Sequence, residues 1–340
     1  MKLKEPVKNI DLEKRIFAAS PGNFCELAVE LFHFQYYNNT LYRQYCDSLH
    51  TNPAAVNSLE KIPFLPIAFF KTHIVATTPF EAETVFESSG TTAAISSKHY
   101  VKALALYQKS FSKSFQHFYG AVADKCILGL LPSYLERQNA SLVLMVDELI
   151  KASKNPLSGF YLYDHEKLHS TLLHNEILKQ PTLLIGVTYA LLDFAQAYPM
   201  QLRNTIIMET GGMKGRREEM TRQEIHRQLQ QQLGVSLIHS EYGMTELLSQ
   251  AWSKGDGIFH CPGWMQILIR DEDDPLHVQL AGGIDEKPVS GVVNIIDLAN
   301  IYSCCFIATD DLGRLYADNS FEILGRLDNS DIRGCSQMLV

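Results

Sequence analysis

A short run of hydroxyl side chains is the part of this sequence best suited to holding a phosphate. It consists of Ser88, Ser89, Gly90, Thr91 and Thr92. No apolar face can be drawn through these residues, so they do not suit the interior of a helix or strand. Glycine lets the backbone approach a ligand, and amides and hydroxyls donate hydrogen bonds without adding charge. The run predicts a phosphate-binding loop, with an ordinary solvated loop as the alternative.

Three further polar motifs follow in the second half of the chain. They are Tyr-Gly-x-Thr-Glu at residues 242–246, Thr-x-Asp at 309–311 and Gly-Arg-x-Asp at 325–328. Thr245 beside Glu246 suits a phosphate and a magnesium ion, because Mg²⁺ takes one or two carboxylates and fills its shell with phosphate oxygens and water. A threonine followed by an acidic residue also suits the start of a helix, and this alternative stays open.

The four motifs in this order resemble the adenylate-forming enzymes, which include acyl-CoA synthetases, luciferases and the adenylation domains of peptide synthetases. A narrower resemblance rests on residues 62–71 (IPFLPIAFFK), 208–214 (METGGMK) and 333–336 (RGCS). These stretches are similar to the acyl-protein synthetase family, named for the fatty-acid-activating component of the bacterial bioluminescence reductase. That family is in turn similar to phenylacetate-CoA ligases. The resemblance extends from about residue 62 to the end of the chain.

The resemblance implies a role for each residue that matches a motif. Residues 88–92 would hold the pyrophosphate side of ATP, Thr245 would bind the α-phosphate, and Glu246 would coordinate Mg²⁺. The adenine pocket would be formed by Gly211, Gly212, Tyr242 and Gly243. Asp311 would bind the ribose hydroxyls, although Asp310 occupies a position where glycine is commoner. Arg326 would contact the ribose or the phosphate.

The implied activity is the ATP- and Mg²⁺-dependent conversion of a carboxylic acid to an acyl-adenylate, with a fatty acid as the expected substrate. The acyl group would then pass to a protein cysteine, and Cys335 is the candidate acceptor on this chain. An acyl-carrier, acyl-transferase or reductase protein is the expected partner. Two alternatives remain open, a CoA ligase similar to the phenylacetate enzymes and a non-catalytic nucleotide-binding relative. Twelve residues follow Asp328, so we expect the mobile C-terminal domain of many relatives, with its catalytic lysine, to be absent.

The composition excludes several other classes of protein. A formal net charge of −8 argues against nucleic acid as the main partner, since that requires a basic face. No uncharged stretch reaches the ~18 residues that a membrane span needs, and the first residues lack the apolar segment of a secretory signal. Seven cysteines without a C-x-x-C pair indicate a cytoplasmic protein rather than a disulfide framework or zinc module.

The order of the elements predicts an α/β fold like the N-terminal domain of adenylate-forming enzymes. Short apolar stretches at 126–131, 181–186 and 205–208 alternate with helical ones, which favours a covered, largely parallel sheet. After Trp264 the pattern becomes rich in strands. We therefore predict an adenylate-forming core over residues 1–325, with a helical region at 1–60 and a smaller β-rich lobe at 264–325. Residues 326–340 would be a hinge remnant and tail.

Overall fold

Strands and helices alternate along the chain, and the strands form one long sheet and a separate hairpin. The structure is a computed structural model that describes residues 9–88, 95–131, 139–211, 220–282 and 287–327. Its α-helices within these ranges are α1 (Asn9–Ile16), α2 (Phe24–Asn38), α3 (Thr40–Ser48), α4 (Phe69–Thr72), α5 (Leu104–Tyr119), α6 (Ser141–Ser153), α7 (His165–Leu178), α8 (Thr188–Ala197) and α9 (Arg222–Leu233).

The strands within the same ranges are β1 (Leu65–Pro66), β2 (Thr84–Glu87), β3 (Lys98–Val101), β4 (Cys126–Leu130), β5 (Gly159–Phe160), β6 (Thr182–Gly186), β7 (Thr205–Glu209), β8 (His239–Tyr242), β9 (Ala251–Ser253), β10 (Phe259–His260), β11 (Met265–Arg270), β12 (Val278–Gln279), β13 (Val289–Asp297), β14 (Phe306–Leu315) and β15 (Phe321–Arg326). The predicted α/β fold class is confirmed.

One part of the sheet is parallel and ends in a row of aligned residues. β5, β4, β6, β7 and β8 are neighbours in that order, and all four pairs are parallel. β4 and β6 are buried at every residue, which explains their nearly continuous apolar sequences. The register aligns Leu130, Gly186, Glu209 and Ser240 across four strands. This row lies at the carboxyl edge, where open α/β sheets bind ligands.

The antiparallel part continues from the same strand path. β8 pairs with β9, and the path then runs through β10, β15, β14, β13, β11 and β12. The strand-rich region predicted after Trp264 is therefore hydrogen-bonded into the same sheet as the parallel strands. Asp311 on β14 and Arg326 on β15 are register partners. The domain boundaries given above stay predictions.

The hydroxyl-rich run lies between two paired strands. β2 and β3 form a two-stranded antiparallel hairpin, in which Glu87 is the register partner of Lys98. The sequence at 101–118 predicts a long helix, which begins only at Leu104 because Val101 is the last residue of β3. Ser88 continues the pairing, since its amide donates to the carbonyl oxygen of Ser97 at 3.1 Å. The hairpin thus fixes the two ends of the run.

The N-terminal region is helical in its described part and packs on the antiparallel strands. Apolar and aromatic residues at helical spacing predict helix over 24–42, and the structure has two helices there, α2 and α3, because Asn39 is extended and its side chain accepts a hydrogen bond from the Tyr42 amide. On α2, the Gln35 Nε2 donates to the carbonyl oxygens of Asn300 and Ile301, both at 3.0 Å. No helix in the described ranges combines the length and apolar character needed to cross a membrane.

Two local predictions differ from the structure near the motifs. The sequence at 235–240 predicts a strand that ends before Tyr242, but β8 begins only at His239 and includes the tyrosine. The polar residues of β8 form a strand because β7 and β9 pair with β8 on either side. The helix start considered at Thr245-Glu246 is a turn. A glycine at 234 predicts the end of the preceding helix, and Gly234 follows α9 with φ +66°.

Candidate active site

Three motif residues meet where the two parts of the sheet join. The Tyr242 hydroxyl on β8 donates to Oδ2 of Asp311 at 2.7 Å. Arg326 Nε lies 3.3 Å from the other carboxylate oxygen, Oδ1. Arg326 has a side chain that is 58% exposed, against 14% for Asp311, so the guanidinium stays open to a ligand while the carboxylate is held. The residues predicted to bind adenine, ribose and phosphate are therefore in contact.

The surroundings of Tyr242 and Asp311 are largely apolar. The Tyr242 ring packs against Phe259 and Phe321, with centroids 5.8 and 5.5 Å away. Burial and the charge of Asp311 raise the pKa of Tyr242 well above its usual range, so the phenol stays a donor. Burial also raises the pKa of Asp311, while Tyr242 and Arg326 act in the opposite direction.

Asp310 and Asp311 have different environments, as neighbours on a strand should. Asp311 faces Tyr242 and Arg326, whereas the charge of Asp310 acts on the buried guanidinium of Arg270. The main chain here is fixed by Thr309, whose hydroxyl donates to the Val293 carbonyl at 2.8 Å and accepts from the Asp311 amide at 3.1 Å. The two carboxylates therefore have different partners, and Asp311 is the one that lies beside the motif residues Tyr242 and Arg326.

The second group of predicted residues is the turn at Thr245 and Glu246. The Glu246 side chain is buried, and burial raises its pKa. A hydrogen bond from Ser97 and the positive charges of Arg326 and Lys71 oppose this shift and favour the carboxylate. Arg326 therefore acts electrostatically on both Asp311 and Glu246. One arginine links the predicted ribose ligand to the predicted metal ligand.

Two residues that the sequence did not indicate hold this turn. His99 Nδ1 lies 2.9 Å from the carbonyl oxygen of Thr245, and it must donate because a carbonyl only accepts. His99 is buried beside Phe70 and Phe86, and burial lowers its pKa to about 4, so the ring is neutral at neutral pH. Asn300 Nδ2 donates to the carbonyl oxygen of Glu246 at 2.8 Å.

The predicted phosphate loop is described only at its base. The Ser88 hydroxyl accepts a hydrogen bond from the Ser97 amide at 2.9 Å, so this hydroxyl closes the hairpin. Lys98 lies 3.5 Å from Glu87 across the hairpin. Six residues that the sequence predicts for the site lie outside the described residues, namely Ser89, Gly90, Thr91, Thr92, Gly212 and Cys335.

The end of β7 carries a buried carboxylate that shapes the turn after it. Glu209 Oε2 accepts from the Gly211 amide at 2.8 Å and from the Thr188 hydroxyl at 3.0 Å. Gly211 has φ +74°, a conformation that favours glycine. Although burial disfavours the charge, the neighbouring His226 and Arg222 side chains and the hydrogen bond from the Gly211 amide lower the pKa of Glu209 to about 2. The predicted adenine-side glycine is thus held by an ionised carboxylate.

A second carboxyl group lies nearby in the opposite protonation state. Burial and the negative charge of Glu209 raise the pKa of Glu241 to about 8. Gly243 follows closely, and a side chain there would collide with the Glu241 carboxyl group. Glu209 and Glu241 were not indicated by the sequence analysis. Glu209 lies within the motif at 208–214 and Glu241 directly precedes the motif at 242–246, and these positions were the only indication in the sequence.

The residues present fit a magnesium ion that is shared with a nucleotide. Among the described residues, no group of three or more His, Cys, Asp or Glu side chains could hold a metal by itself. Mg²⁺ usually binds through one or two carboxylates together with substrate phosphates. Glu246 supplies one such carboxylate, buried where a neighbouring cation would favour its charged form.

Solved structures with this fold are adenylate-forming enzymes. The chain aligns with an open form of 2-hydroxyisobutyryl-CoA ligase in complex with 2-HIB-AMP and CoA, with TM-score 0.64, 12% identity, and coverage of 93% of this chain and 78% of that one. It also aligns with an ATP-bound RpMatB-BxBclM chimera, with TM-score 0.55, 16% identity, and coverage of 74% and 50%. For ATP-bound MatB from Rhodopseudomonas palustris, the values are 0.51, 16%, 71% and 47%. The chain spans about half the length of the last two.

The fold is therefore that of the adenylate-forming enzymes. The sequence profile of the LuxE acyl-protein synthetases matches residues 23–340. The chain belongs to this family, which confirms the resemblance seen in the sequence and indicates an enzyme of the ligase type. A comparison with curated proteins gave no significant match.

Proposed function

We propose that the protein uses ATP and Mg²⁺ to convert a carboxylic acid to an acyl-adenylate, with fatty acids as the preferred substrates. The acyl group then passes to a cysteine thiol of a protein. The observation that carries the proposal is the position of Arg326, which acts on both Asp311 and Glu246 at the junction of the two sheet parts. Family membership and the fold shared with ATP- and acyl-AMP-bound ligases support it.

In the first step, a carboxylate oxygen attacks the α-phosphorus of ATP, and the bond to pyrophosphate breaks. In this proposal Asp311 holds the ribose, the exposed Arg326 guanidinium contacts the ribose or phosphate, and Thr245 binds the α-phosphate. Glu246 would hold Mg²⁺, which reduces the repulsion between the triphosphate and the incoming carboxylate. The contribution of this chain is therefore positioning and charge stabilisation.

In the second step, a thiolate attacks the acyl carbonyl carbon. The bond between that carbon and the phosphate oxygen of AMP breaks, and AMP leaves. Cys335 is the candidate thiol on this chain, and a partner protein such as an acyl carrier, acyl-transferase or reductase is the other candidate. The thiolate is the reactive form of cysteine, and a positive charge such as that of Arg333, two residues before Cys335 in the sequence, would favour it. The cysteine usage supports a reducing, cytoplasmic setting.

A second candidate function is the transfer of the acyl group to CoA. The observation that favours it is the alignment with 2-hydroxyisobutyryl-CoA ligase over 93% of this chain. The two functions share the first step and differ only in the thiol that accepts the acyl group. A non-catalytic nucleotide-binding role is disfavoured because Thr245 and Glu246, the proposed α-phosphate and Mg²⁺ ligands, are present together with the proposed ribose ligand Asp311.

The test is pyrophosphate release from Mg²⁺-ATP across carboxylic acids of graded chain length, short, aromatic and fatty. We expect release that depends on the acid, with fatty acids preferred. Adding CoA then separates the two functions, since an acyl-CoA product appears only for a CoA ligase. Absence of acid-dependent pyrophosphate release with every acid, from a protein that still binds ATP, would leave only the non-catalytic role.

A further inference from the structure

A buried segment at the end of β13 has two polar side chains that contact the turn with Thr245 and Glu246 and the residues just after it. It begins at Asp297, the last residue of β13, and ends at Asn300. Both side chains are completely buried. Neither residue belongs to a motif, and both act on the chain just after β8, some fifty residues earlier in the sequence.

Asp297 binds the main chain after the turn through both carboxylate oxygens. Oδ2 accepts from the amides of Leu248 at 2.8 Å and Ser249 at 3.0 Å. Oδ1 accepts from the Ser249 hydroxyl at 2.6 Å and from the Ala299 amide at 3.1 Å. A buried carboxylate is costly unless its lone pairs are satisfied, and here four donors satisfy them.

The turn itself is held on both sides through consecutive carbonyl groups. Asn300 binds the carbonyl oxygen of Glu246, and His99 on β3 binds that of Thr245. The chain between β8 and β9 contains neither helix nor strand, so its main-chain polar groups need partners from turns or side chains. Side chains bind these groups at residues 245, 246, 248 and 249, which holds the main chain on both sides of the Glu246 side chain.

We propose that Asp297, together with Asn300, is a positioning residue that orients Glu246 toward the metal–nucleotide complex. The inference rests on the proposed function, since Glu246 is the ligand it serves. Asp297 acts through the main chain of 246–249 and does not contact the substrate. Its loss should therefore affect the use of Mg²⁺ and the rate of adenylation more than the binding of the nucleoside.

A matched control exists at the amino-terminal edge of the parallel strands. The Glu176 carboxylate accepts from the amides of Arg203 and Asn204 and from the Thr205 hydroxyl, at 2.8–3.1 Å. Thr205 begins β7, so this carboxylate fixes the amino edge of the strand, away from the motifs. Glu176→Gln removes the same kind of interaction as Asp297→Asn, without touching the site.

The experiment measures three quantities in wild type, Asp297→Asn and Glu176→Gln. They are the kcat and KM of pyrophosphate release, the calorimetric ATP affinity with and without Mg²⁺, and the hydrogen exchange of residues 245–250. For Asp297→Asn we expect kcat to fall at least about tenfold, because small misplacements of positioned groups are costly. The gain in ATP affinity from Mg²⁺ should be lost, exchange at 245–250 should accelerate, and Mg²⁺-free ATP affinity should stay within about twofold.

Glu176→Gln should lower the unfolding temperature and leave kcat and the effect of Mg²⁺ unchanged. The proposal is overturned if Asp297→Asn keeps the wild-type kcat and Mg²⁺ effect, or if Glu176→Gln loses them equally. If Asp297→Asn does not fold, Asn300→Ala removes only the bond to the Glu246 carbonyl and is judged by the same criteria. Failure of the proposed function appears separately, as wild type without acid-dependent pyrophosphate release, and the calorimetry and exchange then still decide the positioning role.

Discussion

The Tyr242 hydroxyl and the Asp311 carboxylate are joined by a 2.7 Å hydrogen bond between residues 69 positions apart in the sequence. The bond connects β8, the last parallel strand, to β14 in the middle of the antiparallel part. It fixes one carboxylate oxygen, while Arg326 lies beside the other. The orientation of the proposed ribose ligand therefore depends on both parts of the sheet being in place.

The first prediction compares the two adjacent aspartates. Asp311→Ala should weaken ATP binding by about tenfold or more, because a lost hydrogen bond to a charged group costs about 1.5–3 kcal/mol. Asp310→Ala should change ATP affinity little and should instead lower stability, since Asp310 provides negative charge near the buried Arg270. Calorimetric titration with ATP and urea denaturation measure the two effects. The reverse order of affinities would assign the ribose to Asp310.

The second prediction concerns the proposed magnesium ligand. Glu246→Gln should abolish pyrophosphate release, because an amide is a poor Mg²⁺ ligand. Stability should be kept or slightly increased, because burial already disfavours the charge and the amide oxygen still accepts from Ser97. The assay is pyrophosphate release at saturating Mg²⁺-ATP and acid, alongside urea denaturation.

A matched control for this variant is Glu87→Gln in the hairpin beside it. Glu87 forms an ion pair with Lys98 in which both side chains are largely exposed, and such pairs contribute little to stability. This variant should keep wild-type turnover. A folded Glu246→Gln protein with wild-type turnover would remove Glu246 from the site.

Much of the scaffold could be predicted because its strands are short apolar runs. β4, β6 and β7 were predicted within one residue of their observed bounds, since burial on both faces requires nearly continuous apolar sequences. Helix α7 was not predicted. Its buried Leu168 and Leu172 share the helix with exposed Ile177 and Leu178, so the sequence shows no clear apolar face.

The site was predictable only where its residues form local motifs. Tyr242, Glu246, Asp311 and Arg326 could be found because each lies in a short recognisable pattern. His99, Asp297 and Asn300 could not, because their partners are main-chain groups of residues 245–249, about 50 to 150 positions away. A side chain that binds a distant carbonyl or amide group leaves no periodicity or spacing in the sequence.

The third prediction is a pH dependence of stability that arises from Glu241. The pKa of its carboxyl group is about 8 in the folded protein, against an ordinary value of 4.5. The folded protein therefore keeps a proton that the unfolded chain releases. The stability from this proton is fully present below about pH 4.5 and is lost as the pH rises through 8. Relative to Glu241→Gln, wild type should lose about 4 kcal/mol between pH 5 and pH 9, nearly all of it below pH 8.

Urea denaturation of both proteins at pH 5, 7 and 9 measures this difference. Glu209→Gln is the comparison of opposite sign and is measured at pH 5, 4 and 3, because the pKa of Glu209 is lowered to about 2 and its contribution is lost as the pH falls from about 4.5 toward 2. Equal pH profiles for wild type and Glu241→Gln would show that Glu241 is already ionised at neutral pH.

The fourth prediction identifies the cysteine that receives the acyl group if the protein acylates itself. Most described cysteines are poor nucleophiles, because Cys46, Cys126, Cys304 and Cys305 are buried and burial raises the pKa of each thiol. Cys335 lies in the 333–336 motif shared with acyl-protein synthetases and outside the described residues. We expect Cys335→Ala to form acyl-adenylate at the wild-type rate and to retain no covalent label.

The assay incubates the protein with labelled fatty acid and Mg²⁺-ATP, then separates it on a denaturing gel with and without hydroxylamine, which cleaves thioesters. Cys25→Ala is the matched control, because Cys25 is an exposed thiol on α2 in a part of the chain without site residues. This variant should be labelled like wild type, and hydroxylamine should remove the label from both. Label that persists on Cys335→Ala would place the acceptor at another residue. A wild type that makes acyl-adenylate but never carries label would instead assign the second step to a partner's thiol or to CoA, because the adenylating residues would then work without an acceptor on this chain.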